Sequence, residues 1–413
     1  MGYQQGLSGL AGASNALDVI GNNIANANTV GFKSSTAQFS DMYANSIATS
    51  VNTQIGIGTA LASVQQQFGQ GTINTTNSSL DVAINGNGFF QMSNNGTITY
   101  TRDGTFQRDK NGYIVNSQGL NLMGYAADKN GVINTAQTVP LQAPTTNIAP
   151  TATTKITGQF NLNSQDTVPT KTPFDATDTT TYNYSTSIQV YDSLGGSQAV
   201  NIYFVKSAAG TWEAYAGVQG GTTNDLGTIQ FDSSGAISGT TTGSPATPTA
   251  ALGQFQFTVP NTDGSATPQT LTLDLTGTTQ YGGKDGVNNL AQDGYASGTL
   301  TTFTIGTDGK LTGNYSNGQT AVLGQIALAN FNNPNGLVNI GGNQYAETAA
   351  SGVPQISVPG STNHGTLQGS ALENSNVDLT SQLVNLITAQ RNYQANAQTI
   401  KTQQTVDQTL INL

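Results

Sequence analysis

Residues 3–28 read YQQGLSGLAGASNALDVIGNNIANAN, and residues 379–400 read LTSQLVNLITAQRNYQANAQTI. In the first stretch Leu7, Leu10, Ser14, Leu17, Gly21, Ile24 and Asn28 recur in alternating steps of three and four. That spacing predicts one face of an amphipathic helix with coiled-coil-like packing. Val19, Ile20 and several alanines widen the stripe. The second stretch repeats the design with Leu383, Leu386, Gln390, Tyr393, Ala397 and Ile400. All 12 prolines lie between Pro140 and Pro359, so neither end carries a helix breaker. Ser375 or Asn376 is expected to cap the second helix, with Asp378 adding negative charge to its first turn.

Both stripes are interrupted by Ser, Gly, Asn and Gln, and the opposite faces carry amides and hydroxyls in place of ion pairs. Such helices are expected to be weakly ordered alone and to gain order against partners. Pairing within one molecule is expected too, leaving apolar surface over. The exit from the first helix is Asn-rich: Asn22, Asn23, Asn26 and Asn28 are poor helix filler, because their amides compete for backbone hydrogen bonds. Gly31 is expected to take a positive φ there, and Phe32 to anchor the segment that follows.

Between the ends the chain reads as β-structure. Short runs such as Leu80–Ile84, Gly88–Met92, Thr97–Thr101, Ile188–Tyr191 and Ala199–Val205 alternate with turn pairs: Asp103-Gly104, Asn111-Gly112, Asn130-Gly131, Asp263-Gly264, Asp308-Gly309. A Pro/Thr/Ala stretch around Pro140–Pro150 and a looser one before Tyr281-Gly282-Gly283 bracket a Thr/Gly-rich segment that holds the single Trp, Trp212. The expected architecture is mixed, mainly β with terminal α, built from nested discontinuous domains. Residues 1–28 with 375–413 form the helical domain, 29–70 with 360–374 an extended connector, 71–145 with 286–359 a β-rich domain, and 146–285 an inserted outer β domain.

Composition removes most chemistry. Lys+Arg 12 against Asp+Glu 22 gives a net charge of −10, yet only 8% of residues are charged, against about 25% in an ordinary domain. So few cations cannot neutralise a run of phosphates, which argues against nucleic-acid binding. The absence of Cys excludes disulfides and thiolate sites, and the single His364 excludes a His-rich metal centre. No apolar run approaches the roughly 18 residues that cross a bilayer, and no cleavable secretory signal is expected. Gly86-Asn87-Gly88 and Gly56-Ile57-Gly58 lack the rest of a dinucleotide loop and read as turns. Asp109-Lys110-Asn111-Gly112 lacks the further ligands of a calcium loop and reads as a hairpin. No catalytic residue, cofactor or metal is expected.

Four stretches together resemble the flagellar axial family of rod and hook proteins. They are Asp18–Lys33; Ala371-Leu372-Glu373-Asn374-Ser375-Asn376-Val377-Asp378-Leu379 with the helix after it; Tyr100-Thr101-Arg102-Asp103-Gly104-Thr105-Phe106 with Asp109, Gly112 and Gly124-Tyr125; and Val322–Phe331. The hook members are the nearer match, because the inserted segment is large for a rod subunit; a distal-rod or hook–filament junction subunit is the alternative, and a surface adhesin a more distant one. One departure is Gln382, where the family commonly has an acid.

The resemblance implies a non-enzymatic subunit that polymerises with copies of itself into a curved tube. It implies terminal helices as a coiled-coil-like inner layer and β domains outside. Leu7, Leu10, Leu17, Ile24, Leu383, Leu386, Tyr393 and Ile400 are the expected inner-layer residues. The implied partners are the distal rod, the hook cap, the hook–filament junction proteins and the flagellar type III export apparatus. The implied location is extracellular, at the basal-body side of the flagellum.

Overall fold

The computed structural model describes residues 2–42, 56–128, 130–144, 146–242, 247–248, 251–261 and 263–411. The chain is mainly β with a helix at each end, α1 (Gly2–Ala25) and α2 (Leu379–Ile411). It divides into two compact units, residues 1–145, 301–314 and 320–413, and residues 146–300 and 315–319.

In the first unit α1 leads into a hairpin of β1 (Ser35–Met42) and β2 (Gly58–Gln66), antiparallel with Ser35 opposite Gln66. The segment expected as an extended connector is thus extended but paired with itself, which satisfies its backbone groups locally. Its expected C-terminal half belongs instead to the β body. There Thr366–Gly369 pairs with Val82–Asn85, and Ala371–Glu373 pairs with Ile73–Thr75.

The main sheet of this unit runs in the order Leu300–Ile305, Lys310–Tyr315, Thr320–Ile326, Asn121–Ala126, Phe89–Asn94, Thr97–Thr101, Gln344–Ala346, Val338–Gly341. Strands 89–94 and 97–101 are a hairpin; 121–126 joins through Met92 opposite Leu122, bringing distant segments over one core of Ile84, Phe90, Met92, Leu122, Ile326 and Leu328. A second cluster packs Phe89, Tyr100, Phe331 and Tyr345 edge to face, with Phe68 against them. Such pairs add about 0.5–1.5 kcal/mol each beyond area burial.

Two phenols in this second cluster set an alkaline limit. Burial, and then the hydrogen bond that Tyr100 donates to Glu347 at 2.9 Å, raise Tyr100 above the ordinary phenol range. Burial pushes Tyr345 up to about 12, against the pull of nearby Arg102. A folded pKa above the unfolded one gives stability that is complete below about pH 10 and lost as pH rises through the folded value. Between about pH 10 and 12 the parent chain is therefore expected to lose stability relative to Tyr345→Phe, read by denaturant titration at each pH. Parallel curves for the two would contradict it.

The second unit contains two sheets over one core. Lys155–Asn163 has Gln269–Asp274 and then Thr279–Tyr281 parallel along one edge, and Gly286–Gln292 antiparallel along the other. The other sheet is a meander through Tyr184–Tyr191, Ser197–Ala208, Thr211–Val218, Thr223–Phe231 and Ile237–Thr242. Trp212, Phe160, Phe204, Leu271 and Leu273 are fully buried together. Because residues 286–292 complete this sheet, the chain returns to the first unit near residue 300, later than the expected 285.

Candidate assembly surface

The terminal helices run side by side, joined through small residues. Gly6 lies under Ile400, and a Cβ at Gly9 would come within 2.6 Å of the Asn396 side chain, so glycine lets the two backbones approach there. Ala13 and Ala389 are buried. At the far end Asn23 donates to Gln382 at 3.5 Å, a neutral contact between two amides. The hairpin packs on α1 as well, Gln5 donating to the Gly56 carbonyl at 2.6 Å. Gly9, Gly12, Ala16, Phe39, Ala389 and Ala395 are among the residues lining a trough of about 470 Å3.

That pairing covers only part of the apolar stripes. Leu10, Leu17, Ile24, Leu386 and Ile400 are half-buried, whereas Leu7, Leu383 and Tyr393 remain exposed. Leu379, Ile387 and Val384, the last 59% exposed, join them, although the three-and-four spacing did not select them. The signal was present: Leu379, Leu383 and Ile387 are four residues apart and make a second row beside the first. Asp378 is the N-cap of α2, accepting from Thr380 N at 3.0 Å and Ser381 N at 3.3 Å. Ser375 and Asn376, expected in that role, sit before the helix; Asn376 instead accepts from Ser34 N and donates to the Gln67 and Gly69 carbonyls.

The helix exit is built by its amides. Asn23 is buried and bonds Ser35 in both directions at 2.8 Å, imitating a strand neighbour. Asn26 donates to the Asn22 carbonyl and side chain, and Thr29 donates to Asn26. Asn28 is exposed, and Phe32 is half-buried with its carbonyl accepting from Asn376 N. Gly31 has φ +69° and donates to the Glu373 carbonyl at 2.8 Å; a Cβ there would stand 2.7 Å from the backbone of Arg102 and Asp103. Gly31→Ala is expected to cost about 1–3 kcal/mol of stability from the backbone strain alone, with the clash in addition, measured by denaturant unfolding. An unchanged midpoint would show that the turn relaxes freely.

Beside this turn lies a buried ionic cluster that local patterns did not identify. Glu373 accepts from Lys33 Nζ at 2.7 Å, Arg102 Nη1 at 3.2 Å and Gly71 N at 2.8 Å. Lys33 also donates to the Gly69 carbonyl, and Arg102 to the Gly86 carbonyl, both at 2.8 Å. Lys33 and Glu373 side chains are 0% exposed and Arg102 is 3% exposed, with its guanidinium over the Phe89 ring. Burial, then neighbouring Arg102, hold Lys33 below its ordinary value, with Glu373 pulling it back. The three residues come from three of the quoted stretches, so the helix exit, the β body and the return strand meet at one point.

Among the described residues no group of three His, Cys, Asp or Glu side chains is placed to hold a metal ion, and no helix is long and apolar enough to cross a membrane. Family models match along the chain: "Flagella basal body rod protein" over residues 4–33, "Flagellar hook protein FlgE/F/G D1 domain" over 83–157, "Flagellar basal body protein FlaE D2 domain" over 161–295, and "Flagellar basal body rod FlgEFG protein C-terminal" over 368–413. The chain is 42% identical over 424 residues to flagellar hook protein FlgE of Salmonella typhimurium, covering all of both chains. It is 42% identical over 423 residues to that of Escherichia coli K12, again covering all of both. The likeness to that of Treponema pallidum is 33% over 456 residues, covering 99% of this chain and 98% of the relative. The crystal structure of Helicobacter pylori flagellar hook protein FlgE2 shares the fold, with a TM-score of 0.50 at 16% identity over 73% of this chain and 100% of that one.

Proposed function

From the premise that the chain belongs to the flagellar hook protein family, we propose that its paired terminal helices form the contact layer between subunits and its β units the layers outside. The function itself is the family's: a structural subunit of the bacterial flagellar hook, assembling into a curved tube that works as a universal joint between rod and filament. The observation that supports this use of the helices is the apolar surface that stays open after they have paired. Leu7, Leu383, Val384 and Ile387 face solvent in the single chain. At about 25 cal/mol per Å2 of apolar area covered, several such side chains contribute a few kcal/mol per subunit before ordering costs. A head-to-tail contact of this kind continues as a helical polymer.

The finer reading follows the same line. The subunit meets the distal rod, the hook cap and the junction proteins at the ends of the tube, and reaches its extracellular place through the type III export apparatus; a chain with no Cys has no disulfide to undo on the way. The outer contacts are wet and polar: with 8% charged residues, hydroxyl and amide surfaces exchange water-bridged contacts at little cost as a curved tube rotates. Segments 29–70 and 139–150 are read as the hinges, the first limited by the buried Lys33–Glu373–Arg102 cluster to the stretch beyond Lys33, with residues 43–55 and 145 lying outside the described ones. Identical outer contacts in straight and curved tubes would contradict this.

Electron microscopy of the purified full chain at high concentration is expected to show curved tubes of uniform diameter. Deleting residues 1–28 is expected to abolish them while the second unit keeps its near-ultraviolet Trp212 signal. Tubes formed by the deleted chain would remove the helices from the assembly layer.

A further inference from the structure

Two turns of the second unit, one from each of its sheets, bring a pair of acids together. Asp192 follows strand Tyr184–Tyr191, and its Oδ1 accepts from Leu194 N at 2.8 Å and Gly196 N at 2.9 Å. Asp263 precedes strand Gln269–Asp274, and its Oδ1 accepts from Ser265 N at 3.0 Å. One oxygen of each carboxylate is thus used by its own turn. The other two face a single point. A Cβ added at Gly196 would collide with Asp192 Oδ2 and stand 3.1 Å from Asp263 Oδ2. Asp192 is 2% exposed, and among the described residues neither acid is paired with a Lys or Arg. Carboxylates that share a site in this way repel unless a positive charge or a proton lies between them.

A third oxygen stands beside the pair. Ser265 is 6% exposed, and its Oγ is buried without a hydrogen-bond partner. It is nevertheless close to Asp263, being foremost among the groups that hold that carboxyl below the usual range. The two turns are fastened to each other by other bonds. Ala266 N donates to Ser193 Oγ at 3.0 Å, and Gln198 donates to Asn261 Oδ1 at 2.9 Å. The three oxygens are therefore held in place by the fold.

We propose that Asp192, Asp263 and Ser265 bind one calcium ion. All three donors are hard oxygens, the ligands that Ca2+ takes, and the ion both neutralises the acid pair and gives the orphaned hydroxyl a partner. Mg2+ demands a near-ideal octahedron, whereas Ca2+ accepts irregular geometry at about 2.3–2.6 Å and completes its shell with water. Donors from separate turns suit the second. Gly196 leaves the point between the two carboxylates open. With two acids the affinity falls in the weak class of calcium modules, about 0.1–1 mM. An ion held there ties a turn of one sheet to a turn of the other, so loading stabilises the second unit.

Calorimetric titration of CaCl2 into the chelator-treated, unassembled full chain at neutral pH and about 0.15 M salt tests this, the salt screening loose surface binding. Melting followed by the near-ultraviolet Trp212 signal is run alongside. The expected result is one saturable Ca2+ per chain and a melting midpoint that calcium raises. Asp263→Asn is expected to weaken binding about tenfold or more and to abolish the rise, because affinity follows the ligand charge. Ser265→Ala is expected to weaken binding, and Asp41→Asn, which removes an exposed acid of the first unit, to leave it unchanged. No saturable binding by the parent, or equal affinity in Asp263→Asn, overturns the proposal. Equal affinity for MgCl2 overturns the assignment to calcium. A midpoint that ignores calcium and rises on acidification through the carboxylate range means that a shared proton joins the pair, and overturns it as well.

Discussion

Glu373→Ala is expected to lower the stability of the first unit by about 3–5 kcal/mol, because it leaves two buried cations without their anion. At roughly 2–4 °C per kcal/mol for a unit of this size, the melting temperature falls by about 6–20 °C. Glu373 also receives the Gly71 amide, and the adjoining turn depends on its backbone carbonyl, so the loss reaches the root of the hairpin. A control separates charge from packing. The triple change Lys33→Met, Arg102→Met, Glu373→Leu removes all three charges together, and apolar replacement of a buried ionic cluster is often neutral or stabilising. Recovery of most of the loss in the triple variant is the expected outcome in denaturant titrations. A single variant as stable as the parent would mean that water or a shifted loop replaces the carboxylate at no cost.

The second large effect is on assembly and is separable from the fold. Leu383, Val384 and Ile387 are about half exposed in the single chain, so changing all three to Ser costs the fold the buried half of each, about 1 kcal/mol apiece, which denaturant unfolding of the unassembled chain measures by itself. In the polymer each loses the burial of its remaining surface, about 1 kcal/mol apiece on the usual scale of 1.5–3 kcal/mol for a whole side chain. The sum, about 3 kcal/mol, raises the critical concentration for tubes about 100-fold. Sedimentation of polymer against total protein measures it. A critical concentration equal to the parent's would show that this row of residues faces away from every neighbour.

These two predictions also mark what could and could not be read from the chain itself. Spacing of three and four residues found both helices, and the Asn-rich exit with Gly31 was legible because amides and positive φ leave local traces. The cap was misplaced by two or three residues because Ser375, Asn376 and Asp378 are all good cap types, and only the tertiary bonds of Asn376 to Ser34, Gln67 and Gly69 commit it elsewhere. Val384 and Ile387 lie off the single three-and-four stripe, in a second apolar row that the spacing by itself does not mark. The boundary near residue 300 was invisible, since strand 286–292 is paired with residues more than a hundred positions earlier. The ionic cluster had no periodicity to betray it: Lys33, Arg102 and Glu373 are isolated charges in a chain with few, and their meeting is a property of the topology.

That meeting point has a mechanical meaning. The chain leaves α1 and enters α2 through strands fastened to the same carboxylate, so a pull on either tail arrives at the β body through one shared knot. Tension in the outgoing strand is divided with the incoming one at Glu373 before it spreads into the sheet. Torque delivered at the helices therefore loads both strands at once, and neither can be drawn out while the other stays slack.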